Sequence, residues 1–248
     1  MTLLKYKRGY PVAILIGLEE DKAVLWKIFS KVAKPENTVR IKGPRKDPKA
    51  AYSFHETMIN ALRPTLKEGV HSVILASQPR TNYAQEFINH VREHHKWLIQ
   101  GPNKTAFSTL TGSASTPPQV AALTRTPEFH TLISETTAEE TENLIELLEK
   151  RLNTADQNSA VSFSLEEAEN LILNQQEQSR PKPEYLLLTD RYLAGSRQKN
   201  RLHRLMQIAK NKRVKTRIIN AESPAGKRLT QLGGIVCLAR VEQTFQKH

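Results

Sequence analysis

At 248 residues the chain is long enough for two domains that each bury a core, and 37 lysines and arginines against 25 acids leave a formal net charge of +12. No run approaches the roughly 18 apolar residues of a membrane span, and the N-terminal stretch lacks a long apolar segment and a small-residue cleavage site, so a cytoplasmic protein is expected. A pI near 9.8 suits a polyanionic partner, while an aromatic content of 6% argues against a stacking platform for single-stranded nucleic acid.

Val12-Ala13-Ile14-Leu15-Ile16-Gly17 is a short apolar run, Glu19-Glu20-Asp21 makes a turn, and Ala23 to Ile28 resumes in strand style, which predicts a β-hairpin. A strand over Thr38–Ile41 follows Pro35-Glu36-Asn37 and runs into the basic stretch 42–49, which two prolines and a glycine keep out of regular structure. From Ala50 the spacing of Phe54, Met58, Leu62 and Leu66 predicts a helix, bent at Pro64 and ended by Gly69, before a strand over Val70–Ala76. Asn82–Trp97 reads as a further helix and Phe107–Leu110 as a strand, followed by the breaker-rich loop TGSASTPP.

Short helices are expected over Gln119–Thr124 and Pro127–Ile133, and an amphipathic one over Thr137–Leu152, with acids crowded in its first turns where the helix dipole favours them. A fresh α/β pattern follows. Val161-Ser162-Phe163 is a short strand or turn, and Ser164-Leu165-Glu166-Glu167 has capping-box form ahead of a helix to Leu173. Glu184–Thr189 is a strand and Gln198–Ala209 a basic helix. In Val214–Asn220 β-branched and basic residues alternate, Ser223-Pro224 suits a helix start, and Gly233-Gly234 stops that helix before the buried strand Ile235-Val236-Cys237-Leu238. The single cysteine, Cys237, reads as a small buried hydrophobe. Charge is uneven: residues 134–178 are rich in acids, whereas residues 179–217 hold 12 lysines and arginines against Glu184 and Asp190.

The closing order Ala221-Glu222, Gly226, Leu229, Leu232-Gly233-Gly234-Ile235 and Leu238-Ala239-Arg240 resembles the last unit of Pelota and the related class-one peptide-release factors. Four further segments fit in order: ILASQPRTNYAQEF (74–87), SFSLEEAENLIL (162–173), EYLLLTDRYL (184–193) and RLHRLMQIAKNKRVKTRI (201–218). The resemblance covers nearly the whole chain. It implies an α/β fold in two domains: a ribonuclease-H-like central domain over 1–133, and over 134–248 a C-terminal α/β/α sandwich similar to kink-turn-binding ribosomal proteins. The central-domain hairpin begins near Pro11, so the family's N-terminal Sm-like domain is not expected. Release factors carry Gly-Gly-Gln after the strand that here ends at Ile41, and the Vms-like factors keep a glutamine there, but no glutamine precedes Gln78 in this chain. Pelota also lacks that tripeptide and has a basic loop in its place, which residues 42–49 match in composition.

Two basic groups are candidates for rRNA or tRNA contact: Lys42, Arg45, Lys46 and Lys49 in the loop, and Arg197, Arg201, Arg204, Lys210, Lys212 and Arg213 on the later helix and its exit. Solvated polar surface explains each group as well. The second group is the polar face opposite Leu202, Leu205 and Ile208, and the resemblance implies that a translational GTPase or an ABC-type recycling ATPase can use the same domain. His90 and His94 stand at i and i+4 but lack a carboxylate or cysteine at ligand spacing, and His55-Glu56 opens a zincin-like motif without its second histidine. Residues 100–105 resemble a phosphate loop without its first glycine, and no Ser/His/Asp set can be assigned from spacing. No catalytic residue, cofactor or metal is therefore assigned. The expected function is a non-enzymatic, ribosome-associated translation factor acting in rescue, recycling, quality control or dormancy. Its alternatives are a peptidyl-tRNA hydrolase or RNA-processing enzyme with an unrecognised site, and a stand-alone kink-turn-binding module.

Overall fold

The computed structural model describes residues 9–101, 103–153, 159–173 and 181–240. Outside them lie Val241 of the closing segment, Pro102 of the phosphate-loop-like stretch and part of the acidic segment 134–178. The chain divides into two compact units, one holding the residues up to Leu66 and Val70–Glu140, the other Lys67–Gly69 and the residues from Thr141 onward.

In the first unit, β1 (Pro11–Leu18), β2 (Lys22–Phe29) and β3 (Ala33–Arg40) form an antiparallel meander, continued by α1 (Pro48–Lys67) and β4 (Ser72–Ser77). Then come α2 (Tyr83–His94), the short α3 (Lys96–Ile99), β5 (Ala106–Thr111), α4 (Pro117–Leu123) and the start of α5 (Pro127–Asn153). The sheet order is β3-β2-β1-β4-β5, with β4 and β5 parallel to β1. Period-two alternation divides β1 between two faces. Ile14, Ile16 and Leu18 pack with Phe54, Met58, Leu62, Phe87 and Val91, while Ala13 and Leu15 pack with Val120 and Phe129.

In the second unit the end of α5 is followed by β6 (Ser159–Ser162), α6 (Leu165–Leu173), β7 (Lys182–Thr189), α7 (Asp190–Gly195), α8 (Lys199–Asn211), β8 (Lys215–Ile219), α9 (Pro224–Gln231) and β9 (Ile235–Arg240). Its sheet runs β6-β9-β7-β8. One face packs Leu187, Val236 and Leu238 with Leu144 and Leu148 of α5 and Leu229 of α9. Ser223 caps α9 by accepting from the Gly226 backbone N–H at 3.0 Å, and Gly233 and Gly234 adopt φ of 98° and 81°, the left-handed conformation expected where a helix must stop.

Several sequence expectations are corrected. The third strand begins at Ala33 and contains Pro35, which is tolerated because β3 lies at the sheet edge and pairs irregularly at Leu25/Trp26. The strand after α1 starts at Ser72, and the helix predicted to Trp97 breaks at His95. The helices predicted over 127–133 and 137–152 are one continuous element, α5, because no proline or glycine interrupts 128–152. In β8 the alternating basic positions are not both exposed. Arg217 is 2% exposed, as befits a strand covered by helices.

Cys237 is buried in β9, and burial pushes its thiol up to about 12. Native protein at pH 8 is expected to leave it unlabelled by a thiol reagent, whereas protein unfolded in denaturant is labelled at once. Equal labelling rates in both states would contradict its place in the core.

Candidate functional site

Pairing directions put the ends of β1, β3, β4 and β5 on one edge of the first sheet. The loop between β3 and α1 leaves from this edge. Its fold is local: Gly43 takes a φ of 121°, the Pro44 carbonyl accepts from Asp47 N–H at 3.0 Å, and the Asp47 carboxylate accepts from Lys49 N–H at 3.1 Å. Pro48 then occupies the first position of α1, where a missing N–H costs nothing.

One residue of the loop points inward. The Arg45 side chain is 9% exposed, donates from Nη1 to the Glu19 carbonyl at 2.8 Å and pairs through Nε with Glu86 at 3.2 Å. Its guanidinium lies 3.8 Å from the centre of the Tyr83 ring. Glu19 is itself a junction, because its carboxylate accepts from Gln78 Nε2 at 2.9 Å and from the hydroxyls of Ser113 and Ser115. Gly17 leaves room for that arrangement, since a Cβ there would stand 2.3 Å from the Ala114 carbonyl oxygen. Arg45 thus ties the loop to residues that follow β1, β4 and β5. Its expected role as an RNA ligand conflicts with this enclosure.

Lys42, Lys46 and Lys49 remain exposed, with no side-chain partner among the described residues. Lys42 and Arg40 also line a groove of about 860 Å³ between β3 and α1, together with Asn37, Thr38, Ser53 and Asn60. Val39, Phe54 and Ala61 also line it and Arg40 is paired with Asp21, so Lys42, the hydroxyls and the amides are the groups that can meet a sugar-phosphate backbone. Sequence periodicity could not reveal the groove, because it depends on how β3 and α1, neighbours in the chain, pack against each other.

The second basic group is split by structure. Arg201 is held by both carboxylate oxygens of Glu169 in α6, at 2.9 and 2.8 Å from Nε, and Lys212 donates to the Ile172 and Leu173 carbonyls at 2.7 and 3.1 Å, closing the end of α6. Lys210 pairs with Glu68 of the same compact unit at 3.0 Å. Arg197, Arg204 and Arg213 are exposed and make no such contact among the described residues; Arg213 has a φ of 63° at the exit of α8. Arg197 precedes the Gln198 cap of α8, so only Arg201 and Arg204 of the predicted stripe lie on the helix, and of these Arg204 is left for an outside partner.

A histidine cluster that spacing only partly showed lies on the α1/α2 side of the first sheet. Glu56 of α1 receives His90 Nε2 at 3.0 Å and His95 Nε2 at 2.6 Å on the same carboxylate oxygen. The pairing is with His95, not with His94 as spacing suggested, because the helix ends at His94 and His95 turns back at φ −130°, ψ 51°. Burial is the largest influence on Glu56 and opposes its ionisation, but the bonds from His95 and His90 hold its carboxyl below the usual range. Burial likewise lowers His90, and it lowers His55, aided by the charges of His90 and Arg45, to about 4. No signal in the sequence linked Glu56 to His90, since the contact spans two helices.

No protein-family model matches this chain, and no curated protein does. Among solved structures, archaeal Pelota in a model of ribosome-bound Pelota and ABCE1 aligns with 93% of this chain and 62% of its own, at 16% identity and a TM-score of 0.52. Dom34 of S. cerevisiae, described as a translation termination-like factor in RNA quality control that interacts with Hbs1, covers 94% of this chain at 17% identity and a TM-score of 0.48. The Archaeoglobus fulgidus Pelota gives 96%, 18% and 0.40. This chain spans 62% of that first Pelota and 64% of Dom34. With two sheets, helices around each, and alignment along almost its full length, the chain has a Pelota-like α/β fold.

Proposed function

We propose that this chain is a ribosome-associated translation factor that docks on rRNA or tRNA through Lys42, Lys46 and Lys49 and does not hydrolyse peptidyl-tRNA. The observation that carries this reading is the loop itself: pinned from within by Arg45, it presents three lysines outward beside a groove and contains no glutamine. Pinning matters because a loop already ordered loses less entropy when it binds. The residues 1–133 would be the RNA-docking domain and 134–248 the partner-binding domain, with Arg197, Arg204 and Arg213 offered to a translational GTPase, an ABC-type recycling ATPase or RNA. The Pelota-like fold supports both assignments. Rescue, recycling, quality control or dormancy would each use such a factor.

The test is sedimentation with ribosomal subunits across a salt series. Neutralising Lys42, Lys46 and Lys49 together is expected to reduce the slope of log affinity against log salt by roughly 2 to 3, about 0.7 to 0.9 per phosphate contact. An unchanged slope removes the loop from the interface, and release of peptide from peptidyl-tRNA by the pure protein removes the non-hydrolytic reading.

A further inference from the structure

The Glu56, His90 and His95 cluster is not used by the RNA-docking reading and stands independently of it. Two imidazole nitrogens and one carboxylate oxygen converge from α1, α2 and the residue that ends α2, and these donor atoms all lie within 4.8 Å of one another. Donors around a tetrahedral zinc, with bonds of about 2.0 to 2.2 Å, stand roughly 3.3 to 3.5 Å apart. The observed separations of 2.6 and 3.0 Å and the 4.8 Å limit bracket that distance, so side-chain rotations on the scale of an ångström suffice. The helix break is what creates the convergence. At 100° per residue His95 would sit about 140° around the helix from His90, and only the non-helical backbone at His95 brings both rings to one carboxylate.

We infer that Glu56, His90 and His95 form a binding site for a divalent transition-metal ion, with Zn²⁺ the ion that suits two imidazoles and a carboxylate. His90 and His95 are 7% and 8% exposed, so the ion would be largely enclosed by protein, while the part-exposed Glu56 leaves a fourth position for water. His94 and Tyr52 border the site, their rings 4.9 and 5.0 Å from that of His90, and do not supply its donors. Trp97 Nε1–H donates to His95 Nδ1 at 3.3 Å, an arrangement that fits the His95 tautomer with its proton on Nε2. Metal binding at Nε2 requires the proton on Nδ1 instead. That long bond must then break, and the exposed Trp97 indole is free to move aside.

The experiment is titration of the chelator-stripped full chain with Zn²⁺ by calorimetry and melting. One Zn²⁺ per chain is expected, with a rise in Tm of roughly 5 °C or more at saturating metal and a change in Trp97 fluorescence. Glu56→Gln and His90→Ala should each weaken Zn²⁺ binding at least about tenfold, whereas His94→Ala and, in α8 of the second unit, His203→Ala should leave it intact. Binding that survives both cluster variants, or no stoichiometric binding to the unmodified chain, overturns the inference. If the cluster variants fail to fold, Co²⁺ added to the unmodified chain decides. A visible absorption band of tetrahedral Co²⁺ that is shared by His94→Ala and His203→Ala supports the site, and its absence removes it.

Discussion

Arg45→Ala is expected to destabilise the protein by about 2 to 5 kcal/mol, from a charge-assisted hydrogen bond at roughly 1.5 to 3 kcal/mol and a stacked cation on Tyr83 at roughly 0.5 to 2 kcal/mol. For a chain of this size that corresponds to a fall in Tm of about 4 to 20 °C. Lys42→Ala, Lys46→Ala and Lys49→Ala should each stay within about 0.5 kcal/mol of the parent, because their side chains are solvated. Arg45→Lys should not restore stability, since an ammonium cannot lie flat on Tyr83 while reaching both Glu86 and the Glu19 carbonyl. Thermal melts of the five variants, alongside ribosome sedimentation, separate the two roles within one loop. Should Arg45→Ala melt like the lysine variants and lose binding as they do, the guanidinium faces RNA and not the protein.

Gly226→Ala should destabilise by about 3 kcal/mol, against the usual gain of about 1 kcal/mol for that replacement inside a helix. The sign inverts because α9 starts immediately after a tight turn. A Cβ on Gly226 would meet the Asn220 carbonyl oxygen at 1.9 Å and the Ala221 Cα at 2.8 Å, and both are backbone atoms that cannot rotate away. Gly195→Ala is the control, since a Cβ there would meet nothing within 4 Å. Denaturant melts should show a large drop for the first variant and little for the second. A Gly226→Ala protein as stable as its parent would mean that the 220–226 turn is not packed as described.

These two residues also show how far the chain is legible without its tertiary structure. Gly226 is recognisable as part of a recurring order with Ala221, Glu222, Leu229 and the glycine pair, but its reason, a helix seated on its own turn, needs coordinates. Arg45 is one of four cations in a basic loop, and nothing in its neighbours distinguishes it from Lys42 or Lys46, because Glu19, Tyr83 and Glu86 reach it from elsewhere in the chain. Similarly, α8 displays a basic stripe, while the partner that removes Arg201 from it, Glu169, lies on α6.

Periodicity, capping residues and glycine punctuation are local in the chain. They therefore revealed the hairpin of β1 and β2, the cap at Ser223 and the buried strand around Cys237. Convergence is not local. Which cations are enclosed and which are presented, and why His95 and not His94 meets Glu56, were decided only when strands and helices distant in sequence were brought to the same place. A side chain's availability depends on the desolvated surroundings that tertiary packing supplies.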